Sequence, residues 1–519
     1  MKVFKTVLFV LAWIGQLAAE FWAGAHLWQT NMIPVRLFLM GGIVMSLIWV
    51  LEGFLFFSGM RSQKGKNPGR VRRIIAWLLI ILTILACLFS VFATRKLRHT
   101  IDAVTDPQTS VSTYAVYVLK DDAAQTLDDA VGYDFGVTMS YDAENTRSAV
   151  KQLRTFYNGT LKTENYETIL DMVDALYHQD VGAILLCKEY VPLMEDLDAY
   201  ESYTDDTRIL CEFTVEQDLG TAQNLPASTD PETDQTDPFS LSNLEPVKDI
   251  TNDPFVIYLS GSDTRSALLT RSNSDVNILV IVNPKTKQIL LLNTPRDYYI
   301  PNPAGNGALD KLTHCGVYGT GCSVQALSDL YHVPINYFAQ INFAGFEKLI
   351  DAIGGVTVES DYAFTTRHGH FSIQKGTNYL NGEQALGFVR ERYSFGSGDN
   401  QRGRNQMKLL TAVIKKLSAG TVIMHYSQIL DSLQGMFVTN ISGDQIAELV
   451  KMQLGDGSDW NVKSYAVTGN GGSEITYSIP RMRVYVMFQD KDLVDRGINL
   501  VDRVINGEIL TDADVAKQS

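Results

Sequence analysis

The sequence predicts a membrane-anchored α/β protein: three N-terminal transmembrane helices, a small α/β accessory domain, and a large α/β/α domain with a mixed central sheet. Three observations carry that expectation. Residues 4–25, 37–57 and 74–94 are apolar runs of about the twenty residues needed to cross a bilayer. Between residues 253 and 505, buried-strand runs such as FVIYLSG, NILVIVN and QILLLNTP alternate with helical patterns. Ahead of that region, residues 219–246 carry Pro226, Pro231, Pro238 and Pro246 and several acids without one Lys or Arg. Such a stretch is a linker extended by its own charge. The resulting division is an anchor over 1–106, an accessory domain over 107–215, a linker over 216–252, the large domain over 253–505, and a tail over 506–519.

The first span reads as an anchor. Its apolar stretch is long for a cleaved signal peptide, and two more spans follow. Arg61, Lys64, Lys66, Arg70, Arg72 and Arg73 lie between spans two and three, whereas the first loop has only Arg36. The positive-inside rule places the N-terminus in the cytoplasm and everything after about residue 94 outside, although Arg95, Lys96 and Arg98 pull weakly the other way. Glu20 and Glu52, one near each membrane face, read as snorkelling or helix-pairing residues rather than a transport pair.

The chain has 44 Lys and Arg against 58 Asp and Glu, a net charge of −14. Its basic residues cluster locally, which argues against general nucleic-acid binding. No zinc-type ligand spacing occurs. An oxidising exterior permits bridges between Cys315 and Cys322, which flank GVYGTG, and between Cys187 and Cys211.

In the accessory domain, TYAVYVL, DFGVTM, VGAILLC and ILCEFTV read as strands, and NTRSAVKQLRTFY and YETILDMVDALY as helices. It holds no cluster of catalytic residue types, so a positioning or binding role is expected. In the large domain, helices are expected at 321–331, 344–353, 383–389, 402–418, 443–454 and 490–505, with YFAQIN and VTV as further strands.

The chemistry concentrates in RERYSFGSGDNQRGRNQ, residues 390–406, where Arg390, Arg392, Arg402 and Arg404 surround Asp399. Guanidinium groups are forked permanent cations that match phosphate oxygens two at a time, and four so close together repel unless an anion sits among them. Arg402 and Gln406, four apart, share one face of the following helix, whose free amides add to such a cradle. Polar groups also gather where the strands end. Ser262, Asp263, Thr264 and Arg265 follow the first, Asp275 precedes the second, and Arg296 and Asp297 follow the third. Strand-end loops form the crevice in open α/β sheets. If the first two strands are antiparallel neighbours, Asp263 and Asp275 converge on one hard cation, and Mg²⁺ favours one or two carboxylates plus water and phosphate. Singly, each acid also suits a turn or cap.

The order GSDTR, SNSDVN, TPRD, LDKLTH, LIDAIGGV, GEQAL and RER…GDNQRGRNQ resembles the LytR-CpsA-Psr (LCP) family across 253–505. The three-span anchor and the accessory domain resemble its capsule-type branch. The resemblance implies an Mg²⁺-dependent phosphotransferase of the outer membrane face. It would move a glycan-phosphate, from capsule, teichoic acid or another wall polymer, off a polyprenyl-pyrophosphate carrier onto peptidoglycan. It further implies that Asp263 and Asp275 hold Mg²⁺ on the pyrophosphate. Arg296, Arg390, Arg392 and Arg402 would grip the phosphates, with Gln406 completing the contact. Asp297 and Asp399 would orient arginines, with Asp399 a candidate base, and an apolar tunnel would take the prenyl chain. One departure stands out: Asn273 sits where the family has Arg, so Arg271 must reach in or one contact is lost. Arg265 joins the substrate-binding set. Lys311 is expected to touch a sugar or phosphate, while His314, lacking a partner acid or nucleophile at useful spacing, is expected to be structural or to sit at the substrate's edge. The rival readings are a polyprenyl-pyrophosphate phosphatase using the same residues and a non-catalytic lipid-binding envelope regulator.

Overall fold

The structure, a computed structural model, describes residues 2–29, 33–61, 67–105, 109–140, 143–191, 194, 200, 202–218, 241, 244–262, 273–396, 398–418, 429, 432–433 and 436–516. The chain forms two compact bodies.

The first body comprises Met1–Ala103, Leu417–Asp431 and Ser442–Asp459. Its helices α1 (Lys2–Gln29), α2 (Val35–Arg61) and α3 (Asn67–Thr105) include three stretches long and apolar enough to cross a membrane: Phe4–Gln29, Val35–Met60 and Gly69–Lys96. The anchor is therefore a three-helix membrane unit. Trp13 and Trp49 stack at 4.0 Å and each indole N–H donates to the other's backbone carbonyl. Glu52 is fully buried and accepts from Thr83 of α3 at 3.4 Å, the helix-pairing role expected of it. Glu20 accepts from Gln16 one turn earlier. The helix Gly443–Asp456 belongs to this body. Its capping box, Ser442 with Gln445, explains where it starts, and Gly457 at φ +65° where it stops.

The second body holds both sheets. In the accessory domain, β1 (Thr109–Leu119), β2 (Asp134–Thr138), β3 (Lys162–Tyr166), β4 (Ala183–Cys187) and β5 (Thr207–Asp218) form one sheet in the order β3-β2-β4-β1-β5, with α4 (Ala143–Phe156) and α5 (Ile169–Tyr177) packed on it. Strand β3, KTENY, has no apolar rhythm because it is an edge strand with mostly exposed side chains. Cys187 on β4 and Cys211 on β5 lie on opposite sides of β1. Two strand spacings, about 9–10 Å, exceed the reach of a disulfide, so that bridge is ruled out. Cys315 and Cys322 are both buried free thiols, and the Cys315 thiol is pushed up by its hydrogen bond with Cys322 and by burial. The pair is adjacent.

The large domain's sheet is mixed. Its strands are β6 (Phe255–Ser262), β7 (Ser274–Asn283), β8 (Gln288–Asn293), β11 (Tyr337–Asn342), β16 (Phe437–Thr439) and β17 (Asn461–Ala466), ordered β16-β11-β6-β7-β8-β17. Small hairpins β9 (Tyr299–Pro301)–β10 (Leu309–Lys311), β12 (Val356–Ser360)–β15 (Gly376–Leu380), β13 (Phe364–Thr365)–β14 (Ser372–Ile373) and β18 (Gly469–Ile475)–β19 (Arg483–Gln489) surround it. All of β8 and nearly all of β7 are buried, as continuous apolar strands require. Helices Thr320–Tyr331, Phe343–Ala352, Gly382–Arg390, Asp399–Ser418 and Lys491–Ile505 match the periodic segments of the sequence within three residues.

Candidate active site

Strand directions decide where the polar residues meet. β6 runs antiparallel to β7 and parallel to β11, and β7 runs antiparallel to β8. The end of β6, the start of β7, and the residues following β8 and β11 therefore share one end of the sheet. A register shift sharpens this. Gly261 pairs with Val276 and Ser262 with Ser274, so Asp275 is the extra residue of a bulge. A bulge redirects a side chain and releases it from the ladder. Beneath it, buried Ser274, Ser260, Tyr258 and Asn277 share hydrogen bonds of 2.8–3.0 Å, which fix the bulge from below.

Asp275 Oδ1 accepts from Arg296 Nη1 at 2.6 Å, with side chains only 19% and 18% exposed. Burial pushes the Asp275 carboxyl up, but the charges of Arg296, Arg402 and Arg390 outweigh it and hold the group below the ordinary carboxylate range. These three guanidinium groups thus converge on one acid. Arg296 Nε lies 3.7 Å from Asp297 Oδ2, and Lys311 Nζ lies 3.4 Å from Asp297 Oδ1. Asp297 orients Arg296 and Lys311 together.

The other arginines arrive on two helices. Gly382–Arg390 is capped by Asn381 with Gln384, and Gly382 lies against the backbone of Glu347 more closely than any side chain would allow. That contact carries Arg390 to Phe343, the first residue after β11, where its guanidinium sits 4.3 Å from the ring centroid. Arg402 lies in the first turn of Asp399–Ser418, its amide bonded to Gly398 O, and is buried. At Gly403 a Cβ would stand 2.5 Å from the Asn293 amide. Only glycine lets this helix approach the end of β8 so closely. Gln406 Nε2 reaches Val389 O at 3.4 Å, binding the two arginine-bearing helices to each other.

Arg404 departs from the expected foursome. It turns to Gln401 Oε1 at 2.8 Å, and Gln401 contacts Asp361, which also pairs with Lys408. Helical geometry explains this, because residues two apart on a helix face different ways. Asn273 is half-buried just before β7. Asp263, Arg265 and Arg271 lie outside the described residues, as does the side chain of Asp399, whose backbone opens the helix. No cluster of three metal-ligating side chains occurs among the described residues.

His314 is buried and Nδ1 meets Asp310 Oδ1 at 2.6 Å. Its acid partner is four residues upstream, a helical spacing that the short turn Leu312–Cys315 supplies. Asp310 also accepts from Asn302 and Ser478, and Thr313 N donates to Arg296 O at 2.8 Å. His314 therefore does have a partner acid, contrary to the expectation from spacing, and the network lies directly behind Lys311 and Arg296. Arg367 and Tyr393 cluster with Arg392, and neither is among the residues expected from the sequence. Tyr393 stands inside the RERYSF run, whereas nothing around Arg367 in TTRHGH marks it.

Fold and site together define an α/β protein with an arginine-lined cradle at one end of a mixed sheet. Residues 220–492, more than half of the chain, match the LytR_cpsA_psr family, and the chain belongs to that family. A Bacillus cereus protein named polyisoprenyl-teichoic acid–peptidoglycan teichoic acid transferase TagU is 36% identical over 208 residues, covering 40% of this chain and 67% of that protein. A protein of the same name from Enterococcus faecalis is 32% identical over 199 residues, covering 38% and 65%. The solved structure "TagT bound to LI-WTA" aligns with a TM-score of 0.41 at 27% identity, over 50% of this chain and 93% of that one.

Proposed function

We propose that the protein is a membrane-anchored phosphotransferase that moves a glycan-phosphate from a polyprenyl-pyrophosphate carrier to peptidoglycan on the outer face of the membrane. The observation that carries this reading is the gathering of Arg296, Arg390 and Arg402 on Asp275. Forked guanidinium groups gathered in this way match the oxygens of a pyrophosphate two at a time. Phosphoryl transfer needs charge neutralisation and in-line positioning more than covalent chemistry.

Arg296, held by Asp275 and Asp297, would clamp the phosphate at the sheet end. Arg390 and Arg402 would close on it from the two helices, and Arg392 and Lys311 would hold its rim. Asp275, ionised and partly accessible, suits one hard-oxygen ligand of Mg²⁺, with Asp263 as the second. When bound, the ion would neutralise pyrophosphate charge. The prenyl chain would run between sheet and helices.

Orientation has independent support within the anchor body. A Cβ on Gly455 would stand 3.5 Å from Pro34 in the first loop, so a helix inside the family region meets the side opposite the Lys- and Arg-rich loop. That fits an exported catalytic domain and a cytoplasmic N-terminus.

The test is full-length protein in liposomes carrying a labelled lipid-linked glycan, with peptidoglycan added. Label on peptidoglycan supports transfer, and free glycan-phosphate in solution would make the protein a phosphatase. No label in either place would leave a binding role only, and undiminished attachment by Arg296→Ala would remove the arginine cradle from the reaction.

A further inference from the structure

Resting on the transferase reading, the geometry points to Tyr393 as the residue that takes the proton from the attacking acceptor hydroxyl. Tyr393 is 63% exposed, so it adds little to the core. Yet it is tightly surrounded by charge. Arg392 Nη2 donates to the phenol oxygen at 2.8 Å. The Arg367 guanidinium lies 4.5 Å from the centre of its ring, and that of Arg392 lies 4.8 Å away. One buried acid bonds the backbone on both sides of the ring. Glu391, 3% exposed, accepts from Arg367 N at 2.6 Å and from Ser394 N at 3.0 Å. The two chain segments that bracket the tyrosine are thereby tied together.

Two cations on one phenol favour its ionised form, since each gains attraction when the proton leaves. Among the described residues, the charged groups on the ring are Arg392 on its own segment and Arg367 between β13 and β14. The hydroxyl is shifted down by the Arg392 hydrogen bond and charge first, then by Arg367 and Arg296. Tyr393 follows Arg390 and Arg392 in the chain and its phenol oxygen accepts from Arg392, which sets it beside the arginines proposed to hold the phosphates. In the step proposed, the acceptor O–H gives its proton to the phenolate oxygen while the acceptor oxygen bonds to the glycan-bearing phosphorus. The bond from that phosphorus to the bridging oxygen breaks, and its electron pair leaves with polyprenyl phosphate. The phenol then returns its proton to water.

A merely structural Tyr393 would serve as a spacer between Arg367 and Arg392, and a phenyl ring does that equally well. Tyr393→Phe keeps the ring and removes only the oxygen. In the liposome assay, Tyr393→Phe is expected to lower turnover by about a hundredfold, with the acceptor KM little changed. It should also abolish the rise of turnover with pH that deprotonation of the phenol produces. Arg367→Gln, which weakens the support for the phenolate, should move that rise to higher pH. Turnover within twofold of wild type in Tyr393→Phe overturns the proposal, and so does a slow variant that keeps the wild-type pH rise. Arg296→Ala, run alongside, separates the failures. If it is inactive while Tyr393→Phe behaves as wild type, the proton role alone is wrong. If Arg296→Ala is fully active, the arginine cradle is not the site and this role falls with it, whereas a wild type that releases its label into solution overturns the transferase reading itself.

Discussion

The accessory and large domains are both mixed sheets with helices against them, yet they treat charge in opposite ways. In the accessory domain, Lys162–Asp134 and Lys188–Glu212 pair at the surface, every side chain more than 40% exposed. In the large domain, Arg296–Asp275 and Lys311–Asp297 pair with every side chain below 20% exposed. Desolvated charges cost free energy unless they are matched, so the large domain must gain something from holding cations inward. A sheet supplies a frame only. What makes a site is the bulge at Asp275 and the close helix contact at Gly403.

The largest expected effect comes from breaking the inward pairing. Arg296→Ala should cut the transfer rate roughly 10²–10³-fold, by analogy with losing one preorganised donor, measured as label incorporated into peptidoglycan. Next is the helix contact. Gly403→Ala pushes a methyl into buried Asn293 and should cost about 1–3 kcal/mol of stability together with a clear loss of transfer. Its counterpart is Gly136→Ala, whose Cβ would meet Ile184 and Met172 at 3.0 Å in the accessory sheet. It should lower stability in urea melts while leaving transfer unchanged; equal loss of transfer from both would erase the distinction drawn between the domains.

Acid titration sharpens the comparison further. Because the folded Asp275 carboxyl titrates below its ordinary value, its stabilisation is complete above the unfolded value near ~3.9 and fades as pH falls through the folded one. Asp275→Asn should therefore flatten the loss of thermal stability in that acid window, as melting temperatures at stepped pH would reveal. The smallest effect belongs to Arg481, 54% exposed, which pairs with Asp171 and Asp174 of α5 and links the two domains. Arg481→Ala should cost less than about 1 kcal/mol and leave transfer intact. A marked fall in transfer would instead tie the accessory domain to catalysis.

Much of this was legible in the sequence because it is written in local patterns. The buried strands, the helices and the three spans each follow from apolar runs or helical periodicity. The arginine segment announced an anion. Pairings across the chain were not legible in the same way. Arg404 was grouped with its neighbours by sequence proximity, but the helix turns it toward Gln401. Cys187 and Cys211 both end apolar runs, and only the strand order, with β1 between them, separates them. Arg367 joins the rim through Glu391, a contact between residues 24 apart that no spacing rule anticipates. The helix at 443–456 was expected from its periodicity, but its packing partner was not, because periodicity identifies a buried face without naming what covers it.

The surplus residue in β7 has a consequence for how this chain can change. A strand keeps a two-residue beat, and one additional position shifts that beat by half a cycle. Side chains upstream and downstream of Asp275 therefore obey different phases, and the proposed reaction centre sits at the seam. Deleting a single residue there would leave Asp275 or the apolar stretch behind it facing the wrong way. We expect length at this point to tolerate less variation than residue identity does.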